Sequence, residues 1–85
     1  MKKKQLNYII KNYKFDIYNN DIKYLYEISE EILSDECHYA QIDNLKKADF
    51  FYNLYEDFMK EYSKNGEIEK YEIENYQIKD MDELL

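Results

Sequence analysis

Cys37 and His38 are the only neighbouring residues in this chain that could act as nucleophile and base or share a metal ion. A structural zinc site needs about four Cys, His or carboxylate ligands, and the sequence contains no second Cys or His. A Cys–His catalytic pair needs side chains that face each other and a third group that orients the base, and adjacent residues rarely meet this condition. We therefore predict neither catalysis nor a metal site, and interpret the pair as a loop or helix end with a partly buried thiol.

The carboxylates are the other candidates for chemistry. General acid–base catalysis needs two carboxyl groups whose surroundings push their pKa values apart inside a pocket, and nothing in the spacing of the nineteen Asp and Glu residues singles out such a pair. With one glycine in the chain, no phosphate-binding loop, dinucleotide fingerprint or EF-hand loop can be read from the sequence. We predict that the protein is not an enzyme and binds no cofactor.

Charge is distributed unevenly along the chain. Residues 1–14 carry five lysines and no acid, whereas residues 15–85 carry seven lysines against all nineteen acids, a net charge of −12. Phosphate neutralisation needs a basic surface and guanine recognition favours arginine, but this chain has no arginine and a net charge of −7. We predict that it does not bind nucleic acid directly and that its partner is a basic protein.

The acidic residues lie in three clusters, and eleven tyrosines accompany them. Tyrosine is enriched at binding surfaces because it combines a large contact area with a polar group. Carboxylates one helical turn apart are separated by about 5.4 Å, and alternate residues of a strand by about 6–7 Å, both close to the spacing of phosphates along a nucleic-acid strand. The predicted partner-binding residues are Tyr24, Glu27, Glu30, Glu31, Asp35, Glu67, Glu69, Tyr71, Glu72, Glu74 and Tyr76.

The strongest helical period covers residues 43–64. The helix that it predicts must carry part of this acidic surface. Its apolar residues recur at three- and four-residue steps and therefore share one helix face. Asp43 or Asn44 can cap the start of this helix, and Asn65-Gly66 suits a left-handed stop. The residues on the shared face are Leu45, Ala48, Phe51, Tyr52, Tyr55, Phe58, Met59 and Tyr62, of which the three tyrosines are expected in the core.

A second helix is predicted over residues 20–36, where apolar side chains line one face and acids the other. In the helix over residues 43–64, Phe50 and Leu54 widen the apolar arc. That helix is therefore either the centre of the fold or buries a second side against a partner. A homodimer seam on it would consist of Phe50, Leu54 and Phe58 beside Leu45, Phe51 and Tyr55.

The two ends of the chain are predicted from weaker patterns. Residues 6–13 fit a short helix, residues 13–18 alternate like a strand, and residues 67–79 alternate with a one-residue shift that a bulge could absorb. The predicted fold is a single small domain, 1–85, of the mainly α class. It is a bundle of about three helices with a strand-like C-terminal tail that could pair with residues 13–18, and an α+β fold is the alternative.

The composition also indicates origin and location. Lys, Asn, Ile, Tyr and Phe, the residues of A/T-rich codons, dominate the chain, which points to an AT-rich bacterium or to a phage or plasmid within one. No apolar run approaches the roughly 20 residues of a membrane span, and polar residues interrupt the segment after the lysine-rich start. We expect a protein in the cytoplasm of a bacterial host cell that does not bind a membrane.

In size, acidity and composition the chain is similar to phage-encoded anti-CRISPR and anti-restriction inhibitors. It is also similar in kind to the acidic immunity proteins that neutralise nuclease toxins. The resemblance implies a small inhibitor that imitates nucleic acid and blocks a basic nuclease or CRISPR effector. The alternatives are a nuclease-toxin immunity protein and a homodimeric structural or regulatory subunit.

Overall fold

A computed structural model describes the backbone of residues 1–84 and the side chains of residues 1–75. It contains four α-helices, α1 (Lys3–Tyr13), α2 (Ile22–Gln41), α3 (Leu45–Tyr62) and α4 (Glu67–Leu84), with a short 3-10 helix over Lys64–Gly66. The prediction of a mainly α fold is confirmed, and no strand occurs in the described backbone. Within that same part of the chain, no helix combines the length and the apolar character that crossing a bilayer would require.

The helices α2 and α3 form a hairpin around a tight turn. Asp43 has a left-handed backbone (φ 59°), and the Asn44 N–H donates to the carbonyl of Tyr39 at 2.9 Å. The Asn44 side chain then caps α3 by accepting from the Lys47 N–H at 3.3 Å. Of the two cap candidates in the sequence, Asn44 therefore holds the position.

Helix α3 lies at the centre of the molecule. It contributes five buried residues, Ala48, Phe51, Leu54, Phe58 and Met59. These pack with buried side chains from every other part of the fold, namely Ile9, Phe15, Leu25, Ile28, Ile32 and Ile68. The wide apolar arc of α3 is thus used inside the monomer. Of the six residues of the predicted homodimer seam, Leu45 and Phe50 are the ones that remain exposed, at 66% and 45%.

Helices α1 and α4 lie on opposite edges of this hairpin. On one edge, Tyr8 of α1 packs edge-on against Phe50 and Phe51 of α3, with ring centroids 5.3 and 6.0 Å away. On the other edge, Tyr71 of α4 packs on Tyr26 of α2 with centroids 5.1 Å apart. At these rings the hairpin therefore contacts α1 through α3 and α4 through α2.

The predicted strand-like tail and its pairing with residues 13–18 are corrected by the structure, because Glu67–Leu84 is helical. Left-handed backbone at Asn65 (φ 57°) and Gly66 (φ 71°) turns the chain after α3, as the sequence predicts. Ile68 is then completely buried and anchors α4, whereas Ile73, part of the apparent alternation, remains 55% exposed. The alternation misleads because one buried anchor and good helix formers such as Glu and Lys suffice for a helix.

Candidate protein-binding site

The acidic residues predicted on the second helix point to two different sides of α2. Asp35 faces α1, where it accepts a hydrogen bond from the Tyr13 hydroxyl at 2.5 Å. Burial and this bond to Asp35 raise the pKa of Tyr13, and the charge of nearby Glu31 adds to the effect. Glu27 is exposed to solvent. Glu30 lies on the side of α4, so the cluster read from the sequence is divided.

On the α4 side, Glu72 lies near enough to Glu30 of α2 and to Glu69 of its own helix for both charges to act on it. Burial raises the pKa of Glu72, and the charges of Glu30 and Glu69 raise it further. Glu69 and Glu72 are three residues apart, so their side chains are neighbours on one face of α4. We call Glu30, Glu69 and Glu72 the α2–α4 carboxylate cluster.

The connection between α3 and α4 holds one member of the cluster in place. The Ser63 hydroxyl donates to Glu69 Oε2 at 2.6 Å, while Ser63 Oγ accepts from the Ile68 N–H at 3.2 Å. The same serine thus caps the start of α4 and orients the carboxylate. The position of Glu69 is set by the fold, which is the condition for a pre-organised binding group.

A shallow cavity of about 270 Å³ adjoins the cluster between α3 and α4. Its lining consists of Tyr55, Glu56, Met59, Lys60 and Glu69. Tyr55 is half-buried, and burial followed by the charges of Glu72 and Glu30 raises its pKa. Tyr52, expected in the core, is 46% exposed on the same helix, and a hydrogen bond with Glu56 raises its pKa. The site therefore combines carboxylates with aromatic surface.

Most of the tyrosines serve packing. Tyr24 stacks on Phe15 with ring centroids 6.0 Å apart, and its hydroxyl accepts from the Asp16 N–H at 2.7 Å. Tyr71 is half-buried against Tyr26. The side chain of Tyr76 lies outside the described residues.

The remaining predicted acids do not join the cluster. Glu67 and Glu74 are exposed on α4. The strand spacing expected for Glu72 and Glu74 is replaced by a helical one that puts them about 200° apart around the axis. Sequence analysis placed Tyr52 and Tyr55 in the core and so missed them as part of this surface. The one pattern that could have indicated their exposure is their position on the same helix four residues and one residue before the acidic Glu56.

Among the side chains that the structure describes, the carboxylates of the cluster have no cation within ion-pair distance. Among residues 1–75, whose side chains are described, the one ion pair within 4.0 Å joins the Met1 ammonium to Glu61 at 3.4 Å. In that same part of the chain, no group of three or more His, Cys, Asp or Glu residues is arranged to hold a metal ion. Lys60 lines the adjoining cavity with Glu69, but within residues 1–75 no ion pair neutralises a member of the cluster.

Cys37 and His38 lie within α2, and the thiol is exposed rather than partly buried. Its Sγ donates to Glu36 Oε2 at 3.5 Å, and this bond raises the pKa of Cys37. A raised pKa keeps the sulfur protonated and weakly nucleophilic. The His38 ring packs on Tyr39 with centroids 5.1 Å apart.

The crowding of like charges leads to a stability prediction. Because the pKa of Glu72 is raised in the folded state, the folded protein binds more protons than the unfolded one just above pH 4.5, and stability falls as pH rises through that window. We expect Glu72→Gln to increase the free energy of unfolding by about 0.5 kcal/mol at neutral pH. Urea unfolding of both proteins across this pH range measures the difference.

The gain should vanish below about pH 3, where Glu72 is protonated in both states. Glu74→Gln is the matched control, because Glu74 lies on the same helix away from the cluster, and it should change stability much less. A gain that is the same at acidic and neutral pH would show that like-charge repulsion is not its cause.

In comparisons with known proteins, no family model matches the chain, and no curated protein or solved structure is significantly similar to it.

Proposed function

We propose that this protein is a non-enzymatic inhibitor that binds a basic, nucleic-acid-handling protein and covers its cationic groove. The observation that carries the proposal is the α2–α4 carboxylate cluster, Glu30, Glu69 and Glu72 from two helices, none of which forms an ion pair within 4.0 Å among residues 1–75. The proposed type is the anti-CRISPR or anti-restriction inhibitor, acting in the cytoplasm of a bacterial host cell.

The free-energy cost of placing like charges close together supports a binding role for the cluster. Like charges on neighbouring helical positions destabilise a fold, and natural proteins tend to violate such local rules at functional sites. Neutral or basic side chains at Glu69 or Glu72 would relieve the repulsion without disturbing the core, because neither residue belongs to it. We infer that the charge is kept for a partner.

The physical mechanism is complementarity of potential followed by contact of aromatic surface. A net charge of −7 attracts a cationic groove over long range and speeds encounter, an effect that salt suppresses. The carboxylates then take the places of adjacent phosphates. Tyr55 borders the cluster, Tyr52 lies one turn before Glu56 on the same helix, and both supply contact area of the kind that slows dissociation. An immunity protein against a nuclease toxin would use the same surface, so the identity of the nuclease distinguishes these alternatives.

The test compares two triple variants of equal net charge. One carries Glu30→Gln, Glu69→Gln and Glu72→Gln, and the other neutralises exposed acids elsewhere: Glu31→Gln, Asp43→Asn and Glu74→Gln. Association with a panel of purified CRISPR effector nucleases, restriction nucleases and nuclease toxins is measured at about 50 mM salt by biolayer interferometry. We expect the cluster variant to associate at least about tenfold more slowly with the nuclease that binds, and the matched variant to associate nearly as fast as the unmodified protein.

Duplex DNA should release the nuclease from this protein, since the DNA and this protein would compete for the same groove of the nuclease. Equal association rates for the two triple variants would exclude the cluster as the contact surface. Binding that is indifferent to duplex DNA would exclude occupation of the nucleic-acid groove.

A further inference from the structure

The outer face of α1 is a continuous cationic surface. Five residues of this helix share an arc of about 120° around its axis, and all of them are exposed: Lys3, Lys4, Asn7, Ile10 and Lys11. We call these residues, together with the exposed Lys2 and Lys14 at the two ends of the helix, the α1 lysine face. Among the side chains that the structure describes, none of its lysines has an acid within ion-pair distance.

The positive charges of this segment outnumber the acids that act on it. Four acids approach α1 from the α2–α3 hairpin: Glu31, Asp35, Asp57 and Glu61. They act on Tyr13, Gln5 and the Met1 ammonium, none of which belongs to the α1 lysine face. Residues 1–14 carry five lysines and no acid, and the chain terminus adds the Met1 ammonium. The surplus positive charge therefore points away from the hairpin.

Large apolar side chains lie within and beside the lysines. Ile10, which is 38% exposed, lies inside the arc. Phe50 of α3, which is 45% exposed, packs on Tyr8 with ring centroids 5.3 Å apart. Tyr8 is one helical turn from both Lys4 and Lys11, so the Phe50 ring lies at the margin of the α1 lysine face.

This combination distinguishes between two anionic partners. At an anionic bilayer, lysine ammonium groups meet lipid phosphates while apolar side chains reach the boundary of the acyl region. A nucleic-acid backbone also offers phosphates, but it gives an exposed isoleucine among the lysines no apolar surface to enter. The exposed Ile10 therefore favours the lipid surface.

The net negative charge of the chain does not oppose this contact strongly, because the acidic helix α4 lies on the far side of the hairpin. On α2, Asp35 contacts α1 and Tyr26 contacts α4, and their spacing in sequence places them about 180° apart around the helix axis. Packed helices lie about 8–10 Å apart, so about two such distances separate α1 from α4. The screening length at physiological salt is about 8 Å, and the charges of α4 are therefore largely screened at the α1 lysine face.

We propose that the α1 lysine face binds the surface of an anionic phospholipid bilayer. The ammonium groups would contact lipid phosphates, and Ile10 and Phe50 would reach the boundary of the acyl region. The apolar side of α1 stays in the protein core, where Ile9 is completely buried, so the contact is peripheral. Such a contact needs no spanning segment, and the lack of one was the basis for expecting no membrane binding. The inference does not rest on the proposed function, because it concerns a different surface.

The experiment is co-sedimentation of the full chain with two kinds of vesicle at about 50 mM salt. One kind contains phosphatidylglycerol and phosphatidylcholine in equal parts, and the other contains phosphatidylcholine alone. We expect binding to the anionic vesicles to be at least about tenfold tighter and to weaken as salt is added. Replacing Ile10 by serine should weaken it about threefold, because less apolar surface enters the bilayer.

The decisive variants remove two lysines each. Because one lysine near an anionic surface strengthens binding about fivefold, Lys4→Gln with Lys11→Gln should weaken binding at least about tenfold. The matched control is Lys60→Gln with Lys70→Gln, which causes the same change of net charge at exposed positions of α3 and α4 and should weaken binding about twofold or less. Far-UV circular dichroism checks that every variant keeps its helices.

Equal binding to the two kinds of vesicle, or no binding to either, would overturn the proposal. Equal losses in the two double-lysine variants would also overturn it, since the attraction would then not come from α1. Binding of a labelled single-stranded DNA through Lys4 and Lys11 without binding to vesicles would assign the face to nucleic acid instead. None of these results bears on the nuclease panel, so the two proposals fail separately.

Discussion

Replacing Phe58 by alanine is expected to reduce the free energy of unfolding by about 3–5 kcal/mol. Phe58 is completely buried in α3, where its ring contacts those of Phe15 and Tyr62 at centroid distances of 5.4 and 4.9 Å. A chain of 85 residues has a total stability of roughly 4–13 kcal/mol. The loss of one central ring would therefore remove between about a quarter and all of that stability.

Urea unfolding followed by far-UV circular dichroism measures this loss. Phe50→Ala is the matched control, because Phe50 is on the same helix and is 45% exposed. The Phe50 ring makes an edge contact to Tyr8, with centroids 5.3 Å apart. We therefore expect the loss of this ring to cost about 1 kcal/mol or less. Similar costs for the two substitutions would contradict the assignment of α3 as the centre of the core.

Ile68→Ala is expected to release α4 from the rest of the molecule. Ile68 is the one buried residue of α4 among those with described side chains, and its removal should cost about 2–5 kcal/mol. Because the loss is concentrated at the attachment of one helix, amides of α4 should lose hydrogen-exchange protection before those of α2 and α3. Hydrogen exchange read by mass spectrometry resolves the two regions.

The control for this prediction is Ile73→Ala, which removes the same side chain from the same helix at a position that is 55% exposed. Its effect on exchange should be small. If both isoleucine variants, or neither, released α4, the anchor would lie elsewhere.

Release of α4 would also change the candidate site. Glu69 and Glu72 reach Glu30 because α4 is held against the α2–α3 hairpin. In an Ile68→Ala background, the stabilisation expected from Glu72→Gln should therefore largely disappear. The two substitutions are thus expected to be non-additive, as residues that share one structural element usually are.

Helices with a strong apolar period could be predicted from the sequence. The repeat over residues 43–64 corresponds to α3 (Leu45–Tyr62), with Asn44 as its cap. The prediction for α2 ended at residue 36, whereas the helix continues to Gln41. No Gly or Pro lies between these points, so the true end depends on the left-handed turn at Asp43.

The tail was the weakest point of the prediction, for a physical reason. Along α4 the apolar residues do not form a stripe, since Ile68 is buried while Ile73 faces solvent. A periodicity argument requires a helix to bury a whole face, and within residues 67–75 of α4 the one buried side chain is that of Ile68. The roles of the tyrosines also depend on packing: Tyr24, predicted to bind a partner, stacks on Phe15, and Tyr52, predicted to lie in the core, is exposed.

The sequence by itself determined the helical class, the presence of the helix α3 and the sign of the net charge, because apolar period and composition are local properties that no tertiary contact alters. Only the tertiary structure decided which carboxylates meet. Glu30 is distant in sequence from Glu69 and Glu72, and the three come together because Ile68 holds α4 against the hairpin. Electrostatic interaction depends on distance in space, so a charge pattern becomes a site when packing brings its members together.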